Sequence, residues 1–319
     1  MPKSAPLTQA LDIKEGFMAR RLTTALFLVM VGCTHVTNEA TLNHFQSKAD
    51  VRPQAIEIEA RGLSALVYGD LLDAPIIHTN KESIVVAYLT LTDTIGVTPE
   101  SVHWREVIFT RDPSYTPPRD RDSVVRWPVH LTAAGDLGLS GRNDLFSTIP
   151  HEQVHAIQNA YGELPRWFSE GMAEWAGLKA TKLVAPDLYA SRKAKLDIAH
   201  KDLIGTPNLK SWGGVRPKPE AILRQITEEQ KERMVNEPGY FPPGPFTFGD
   251  DDYISDESNT LARYAASLHI FEMIETSSSP ASMRAWFSAV QNLPSPKSTP
   301  DIVLASKATT GVDISQMLN

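Results

Sequence analysis

The sequence predicts an α+β fold: a small mixed or antiparallel β-sheet in the N-terminal half, packed on a mainly helical C-terminal half. Three observations lead there. Residues 54–67 alternate apolar and polar side chains, and 106–110 and 123–127 are short runs rich in Val, Ile, Phe and Trp, all marks of strands. From residue 150 onward the pattern turns helical. Strands gathered ahead of helices, rather than alternating with them, indicate segregated layers. With 319 residues, 42% hydrophobic and 22% charged, the chain can bury a core without disulfides. Its one cysteine excludes an intrachain disulfide and a multi-cysteine zinc cluster. A net charge of −7 and the lack of a dense basic run argue against nucleic-acid binding, which needs clustered Lys and Arg.

In chain order, residues 22–31 form an apolar stretch directly after Arg20 and Arg21. Ten residues are too few to span a bilayer but suit the apolar segment of a signal peptide. Met30, Val31, Gly32 and Cys33 close the stretch in an order that resembles the lipobox of a bacterial lipoprotein signal. The resemblance implies removal of residues 1–32, acylation of Cys33 and anchoring in the cell envelope. Thr34 after the cysteine implies the outer membrane; plain secretion is the alternative. Met18 would make a conventional start for this signal. Cleavage before Cys33 removes four basic and two acidic residues, which takes the net charge from −7 to −9.

Residues 33–52 are polar and read as a tether, leaving 53–319 as the folded domain, strand-rich to 135 and mainly helical from 136. Residues 82–96 have helical content despite their Val, Ile and Thr. Residues 112–120 are a loop by composition. The Pro/Gly/Asp-rich stretch 237–252 can be neither a helix nor a central strand. It is either a loop over a cleft or a surface connection between helical pieces.

The chemistry centres on His151, Glu152 and His155, spaced His-Glu-x-x-His. On a helix, residues four apart share a face about 6 Å apart, so both imidazoles can converge on one tetrahedral zinc ion. Glu152 projects about 100° from His151, where it can hold a water beside the metal. Pro150 suits a first turn, so the helix is expected to start there, and one starting well upstream would be kinked. Fourteen residues separate His155 from Glu170, within Leu164-Pro165-Arg166-Trp167-Phe168-Ser169-Glu170-Gly171-Met172-Ala173-Glu174. Glu170 and Glu174 are four apart on a second expected helix, starting at Pro165. If antiparallel, that helix brings one carboxylate to the metal.

Here the chain resembles the gluzincin zinc metallopeptidases, the thermolysin and aminopeptidase clan, which pair His-Glu-x-x-His on one helix with a ligand Glu on a second. Many bacterial members carry Leu-Pro-x-Trp-x-x-Glu-Gly-x-Ala-Glu in the second helix, which residues 164–174 match. The resemblance implies a zincin-like helical half and one zinc per chain held by His151, His155 and Glu170. Glu152 would be general base toward a zinc-activated water, and Glu174 an acid hydrogen-bonded to a ligand histidine. The aminopeptidase branch has eighteen residues between the second His and the ligand, a count that Glu174 satisfies, but the Glu-Gly-x-Ala context aligns Glu170.

The oxyanion of peptide hydrolysis needs a donor besides zinc. Tyr264 lies on a helix that resembles the downstream Tyr-containing helix of these peptidases. His269 is about 140° around that helix from it, so the two are not expected to share the site. Tyr253 is a weaker candidate, and His130 and His200 read as structural or exposed. The implied function is an exported, lipid-anchored peptidase acting on a peptide or protein substrate. The alternative is a catalytically idle gluzincin-like scaffold lipoprotein, against which the intact Glu152 argues. Endo- and exopeptidase action, and the oligomeric state, stay open.

Overall fold

The computed structural model describes residues 53–115, 126–201, 208–213, 215–237, 240–248, 253–255 and 259–318. Residues 1–52, and with them the expected signal, Met18, Cys33 and the expected tether, lie outside these.

Strands β1 (Gln54–Ala60) and β2 (Leu63–Gly69) form an antiparallel hairpin with Ala60 opposite Leu63. Arg61 and Gly62 between them both have positive φ, 51° and 82°. That is the signature of a type I′ turn, whose twist matches the strands it joins. Alternation along β2 sends Leu63, Ala65 and Val67 into the core.

Helix α1 (Ala74–Ile95) follows, with proline in its first turn and Gly96 at φ 87° closing it by an N–H bond to the Thr92 carbonyl. It starts earlier than the stretch 82–96 suggests, because Pro75 sets its first turn. Ile77, Ile84, Tyr88, Leu91 and Ile95 are its buried face. The helix returns the chain to β3 (Glu106–Thr110), parallel to β2, and β4 (Arg126–His130) adds in parallel to β3. The sheet is therefore mixed, in the order β1-β2-β3-β4. The last strand lies further along than 123–127, and residues 123–125 fall outside the described ones. Pro128 is tolerated there because β4 is an edge strand, where a missing N–H costs no ladder bond.

The helical half opens with α2 (Leu139–Asn143), a wide π turn (Asp144–Thr148) and α3 (Ile149–Gln158) in unbroken succession. This corrects the expected helix start at Pro150. Pro150 has no N–H to donate and its ring crowds the preceding turn, and widening that turn to π geometry accommodates both. After a short turn comes α4 (Arg166–Val184), buried on nearly every side through Trp167, Phe168, Gly171, Met172, Ala173, Ala176 and Ala180. It packs against α1, α3, α5 (Pro186–Lys201) and, further along the chain, α8 (Thr260–Ser277).

Between α5 and α8 lie a two-stranded antiparallel pair, β5 (Val215–Pro217) with β6 (Tyr253–Ser255), and two short helices, α6 (Pro219–Leu223) and α7 (Glu228–Asn236). As composition predicts, 240–248 is neither helix nor strand. Gln225 holds it by bonding both the N–H and the carbonyl of Thr247, at 2.8 and 2.9 Å. The chain ends with α9 (Pro280–Gln291) and α10 (Thr299–Thr310), capped by the Ser279 and Ser298 hydroxyls. Trp286 of α9 packs 5.3 Å from both Phe168 of α4 and Phe271 of α8, an aromatic knot that fixes α4 from below. Among the described residues no helix is long and apolar enough to cross a membrane.

Candidate metal centre

Helices α3 and α4 meet antiparallel: the early residue His151 lies against Gly177 and Glu174, and the later His155 against Ser169 and Glu170. This arrangement brings the three expected ligands together. One ligand atom each of His151, His155 and Glu170 lies within 4.8 Å of the others. Nε2 of His151 is 3.3 Å and Nε2 of His155 3.6 Å from the same carboxylate oxygen, Glu170 Oε2. The imidazoles stand edge to face, with centroids 5.0 Å apart.

The far nitrogens explain why the near ones converge. Nδ1 of His151 lies 3.3 Å from Glu174, and Nδ1 of His155 lies 2.8 Å from the side-chain carbonyl of Gln158. Each acceptor suits a proton on Nδ1, so that Nε2, which faces Glu170, is the nitrogen that would bind a metal in place of its own proton. Glu174 is thus a partner of His151, the role the motif implies for it. It is 4% exposed and gripped in two bonds by Arg192 of α5, at 2.8 and 2.9 Å. Gln158 is itself held by the Ser169 hydroxyl, 2.7 Å, and the Ser169 carbonyl, 2.8 Å.

Glu152 is not one of the three gathered residues. Its carboxylate pairs with Arg105 at 3.0 Å. Arg105 precedes β3 and is held in place through its main chain. Buried Gln153 accepts from its N–H and donates to its carbonyl, both at 2.9 Å, and donates to the Tyr88 hydroxyl at 2.7 Å. Tyr88 in turn stacks on Trp104.

Tyr264 of α8 reaches the site: its hydroxyl donates to Glu170 Oε2 at 2.9 Å, and its ring packs on Trp212. His269 does not. It is exposed and lies against His200, with ring centroids 4.4 Å apart. His130 bonds Asp144 of the π turn through both its N–H and Nδ1, at 3.0 Å each. None of His130, His200 and His269 belongs to the gathered triad. Tyr253 is in β6, and the described part of 237–252 contributes nothing to the cleft beside the triad. That cleft, about 490 Å³, is lined by Arg105, His155, Gln158, Ser169 and Glu170 among others.

Burial opposes charge on His151, yet Glu170 and Glu174 outweigh it and raise its pKa to about 10. Burial likewise opposes ionisation of Glu170, which hydrogen bonds to both histidines nonetheless hold far below the usual carboxylate range. Glu174 sits at about 2, because Arg192 and His151 together overcome its burial. A hollow so lined stabilises positive charge, whether a proton on imidazole or a metal ion. Two imidazoles and one carboxylate, with no cysteine among the described residues, suit zinc in the open three-ligand form found in catalytic sites.

Gln158, Arg192 and Arg105 are the site residues the motifs do not announce. Gln158 was within reach of sequence reasoning, since it lies three residues beyond His155 on the same helical face. Arg192 and Arg105 carry no local signal. The chain matches no protein-family model, and comparison with curated proteins gives no significant match.

Proposed function

We propose that this protein is an exported zinc metallopeptidase, with one zinc per chain held by His151, His155 and Glu170. The observation that carries the proposal is the convergence of both Nε2 atoms on one Glu170 oxygen while Glu174 and Gln158 occupy both Nδ1 atoms. The likeness of residues 151–155 and 164–174 to gluzincin motifs supports the same reading. When bound, zinc supplies a Lewis acid that polarises the scissile carbonyl and makes water acidic enough to react near neutral pH.

The chain's own residues do the rest. Arg105 holds Oε2 of Glu152, leaving Oε1 to take a proton from the attacking water. The water oxygen bonds to the carbonyl carbon, the C–N bond breaks, and Glu152 returns the proton to the leaving amine. Burial, with Glu170 beside it, pushes the Tyr264 phenol far above its ordinary 10, so its hydroxyl stays a donor for the developing oxyanion. The signal-like segment ending at Cys33 supports export and lipid anchoring at the envelope surface.

Zinc content and cleavage of a peptide library test the proposal on the full-length protein. Wild type should hold about one zinc per chain, lost in His151→Ala. Glu152→Gln should keep the metal and lose hydrolysis; unchanged cleavage in that variant overturns the mechanism, and no cleavage by zinc-loaded wild type points to the scaffold. Cys33→Ala should release the protein from membranes, and continued attachment refutes the anchor.

A further inference from the structure

Arg105 uses only part of its guanidinium. Nη1 bonds Glu152, while Nε and Nη2 bond nothing among the described residues, and the side chain keeps 30% of its surface open where it lines the cleft. The group is placed firmly. Gln153 clamps its main chain to α3 from both sides, and the Trp127 ring lies 5.7 Å from its central carbon. A fixed, half-desolvated fork of N–H donors matches a carboxylate better than any other common peptide group.

Charge balance points the same way. Around the triad the carboxylates of Glu152, Glu170 and Glu174 face the guanidinium groups of Arg105, Arg166 and Arg192. Of these three arginines Arg105 is the one that lines the cleft, so it is the cation an anionic substrate group meets there. Distance sets where that group lies along a peptide. Arg105 is 3.0 Å from Glu152, the proposed base, so a carboxylate held by it belongs to a residue within about two positions of the bond cleaved.

We propose that Arg105 anchors the free C-terminal carboxylate of the substrate, so that the enzyme removes one or two residues from the carboxyl end of peptides. This rests on the metallopeptidase reading above. It assigns Arg105 a direct contact with substrate, beyond its hold on Glu152.

The test compares N-acetyl-trialanine with its C-terminal amide. Binding to zinc-free full-length protein is followed by calorimetry, and cleavage is followed on the zinc-loaded form. The free acid should bind roughly tenfold or more tighter than the amide, the worth of one charged hydrogen-bonded pair. Arg105→Gln should erase that ratio while leaving amide binding within about twofold, and Arg105→Lys should restore part of it. The main-chain clamp by Gln153 survives both substitutions, and circular dichroism checks the fold.

Equal binding of acid and amide by wild type overturns the anchor. So does an Arg105→Gln variant in which kcat falls alike for both peptides and the binding ratio is unchanged, for then the arginine acts through Glu152 alone. Acid preference without hydrolysis would keep the anchor and sink the peptidase. Hydrolysis without acid preference would do the reverse.

Discussion

Gly177 of α4 faces the main chain of His151 so closely that a β-carbon there would lie 3.1 Å from both its Cα and its nitrogen. Nothing at that contact is a flexible side-chain end, so neither helix can yield locally. The glycine sets how near the histidine-bearing helix comes to the one bearing Glu170 and Glu174. Gly177→Ala gains about 1 kcal/mol of helix propensity but forces the helices apart, an overpacking cost of about 1–3 kcal/mol. We expect a small net loss in urea-denaturation stability and a larger loss in zinc affinity, because both histidine–Glu170 distances stretch together. Unchanged affinity would mean that the helices adjust freely.

Replacing Gln158 by Leu removes the acceptor that orients His155. Zinc affinity should drop about 10- to 100-fold with little change in the fold, measured by competition with a chromophoric chelator. Gln158→Glu keeps an acceptor and should retain most of the affinity. Equal loss in both variants would show that Gln158 acts by packing.

Arg192→Met strands the carboxylate of Glu174 in the core with only an imidazole for company. Breaking a buried pair in this way costs about 3–5 kcal/mol, and we expect the lower end because Arg192 is partly exposed. Combining it with Glu174→Gln should recover part of the loss in a double-mutant cycle. Strictly additive losses would deny the coupling.

The pH dependence of the zinc-free protein follows from the same groups. His151 is raised from 6.5 to about 10, so its contribution to stability is whole below pH 6.5 and fades as pH climbs to 10. Glu174 is lowered from 4.5 to about 2, so its contribution is whole above pH 4.5 and fades as pH falls toward 2. Urea denaturation of chelator-treated protein should therefore show its highest stability between pH 4.5 and 6.5. Zinc displaces the His151 proton, so zinc affinity should rise with pH across 6.5–10. A flat affinity profile there would contradict the assignment.

Tyr264→Phe keeps the ring on Trp212 and removes one hydroxyl. As an oxyanion donor, that hydroxyl is worth about 10²–10³ in kcat. KM and zinc content should be little altered. A rise in KM alone would instead make Tyr264 a ground-state contact.

The gathering of His151, His155 and Glu170 on two helices was legible because its signals are local. Histidines four apart share a face, and Glu170 and Glu174 repeat the trick one helix later. Tyr264 was legible only through a resemblance, since its contact with Glu170 spans 94 residues. Arg105 and Arg192 were not legible: an arginine's role depends on which carboxylate folding brings to it, and spacing does not encode that. The strand segments were visible by alternation and by their β-branched residues, but the parallel pairing of β2, β3 and β4 was not. The β2–β3 pairing depends on α1 carrying the chain back across the sheet, and a helix rich in Val, Ile and Thr hides its extent.

The π turn at Asp144–Thr148 also separates two registers. One such turn holds about one residue more than an α turn, so the helix before it is rotated by about 100° from where α geometry would put it. The angular phase of His151 and His155 is thereby reset at a seam five residues long. Asp144, tied to His130 at the end of β4, pins the upstream side of that seam to the sheet. Insertions or deletions ahead of Asp144 should alter which face α2 presents without turning His151 or His155, so the two parts of this helix can drift through sequence space separately.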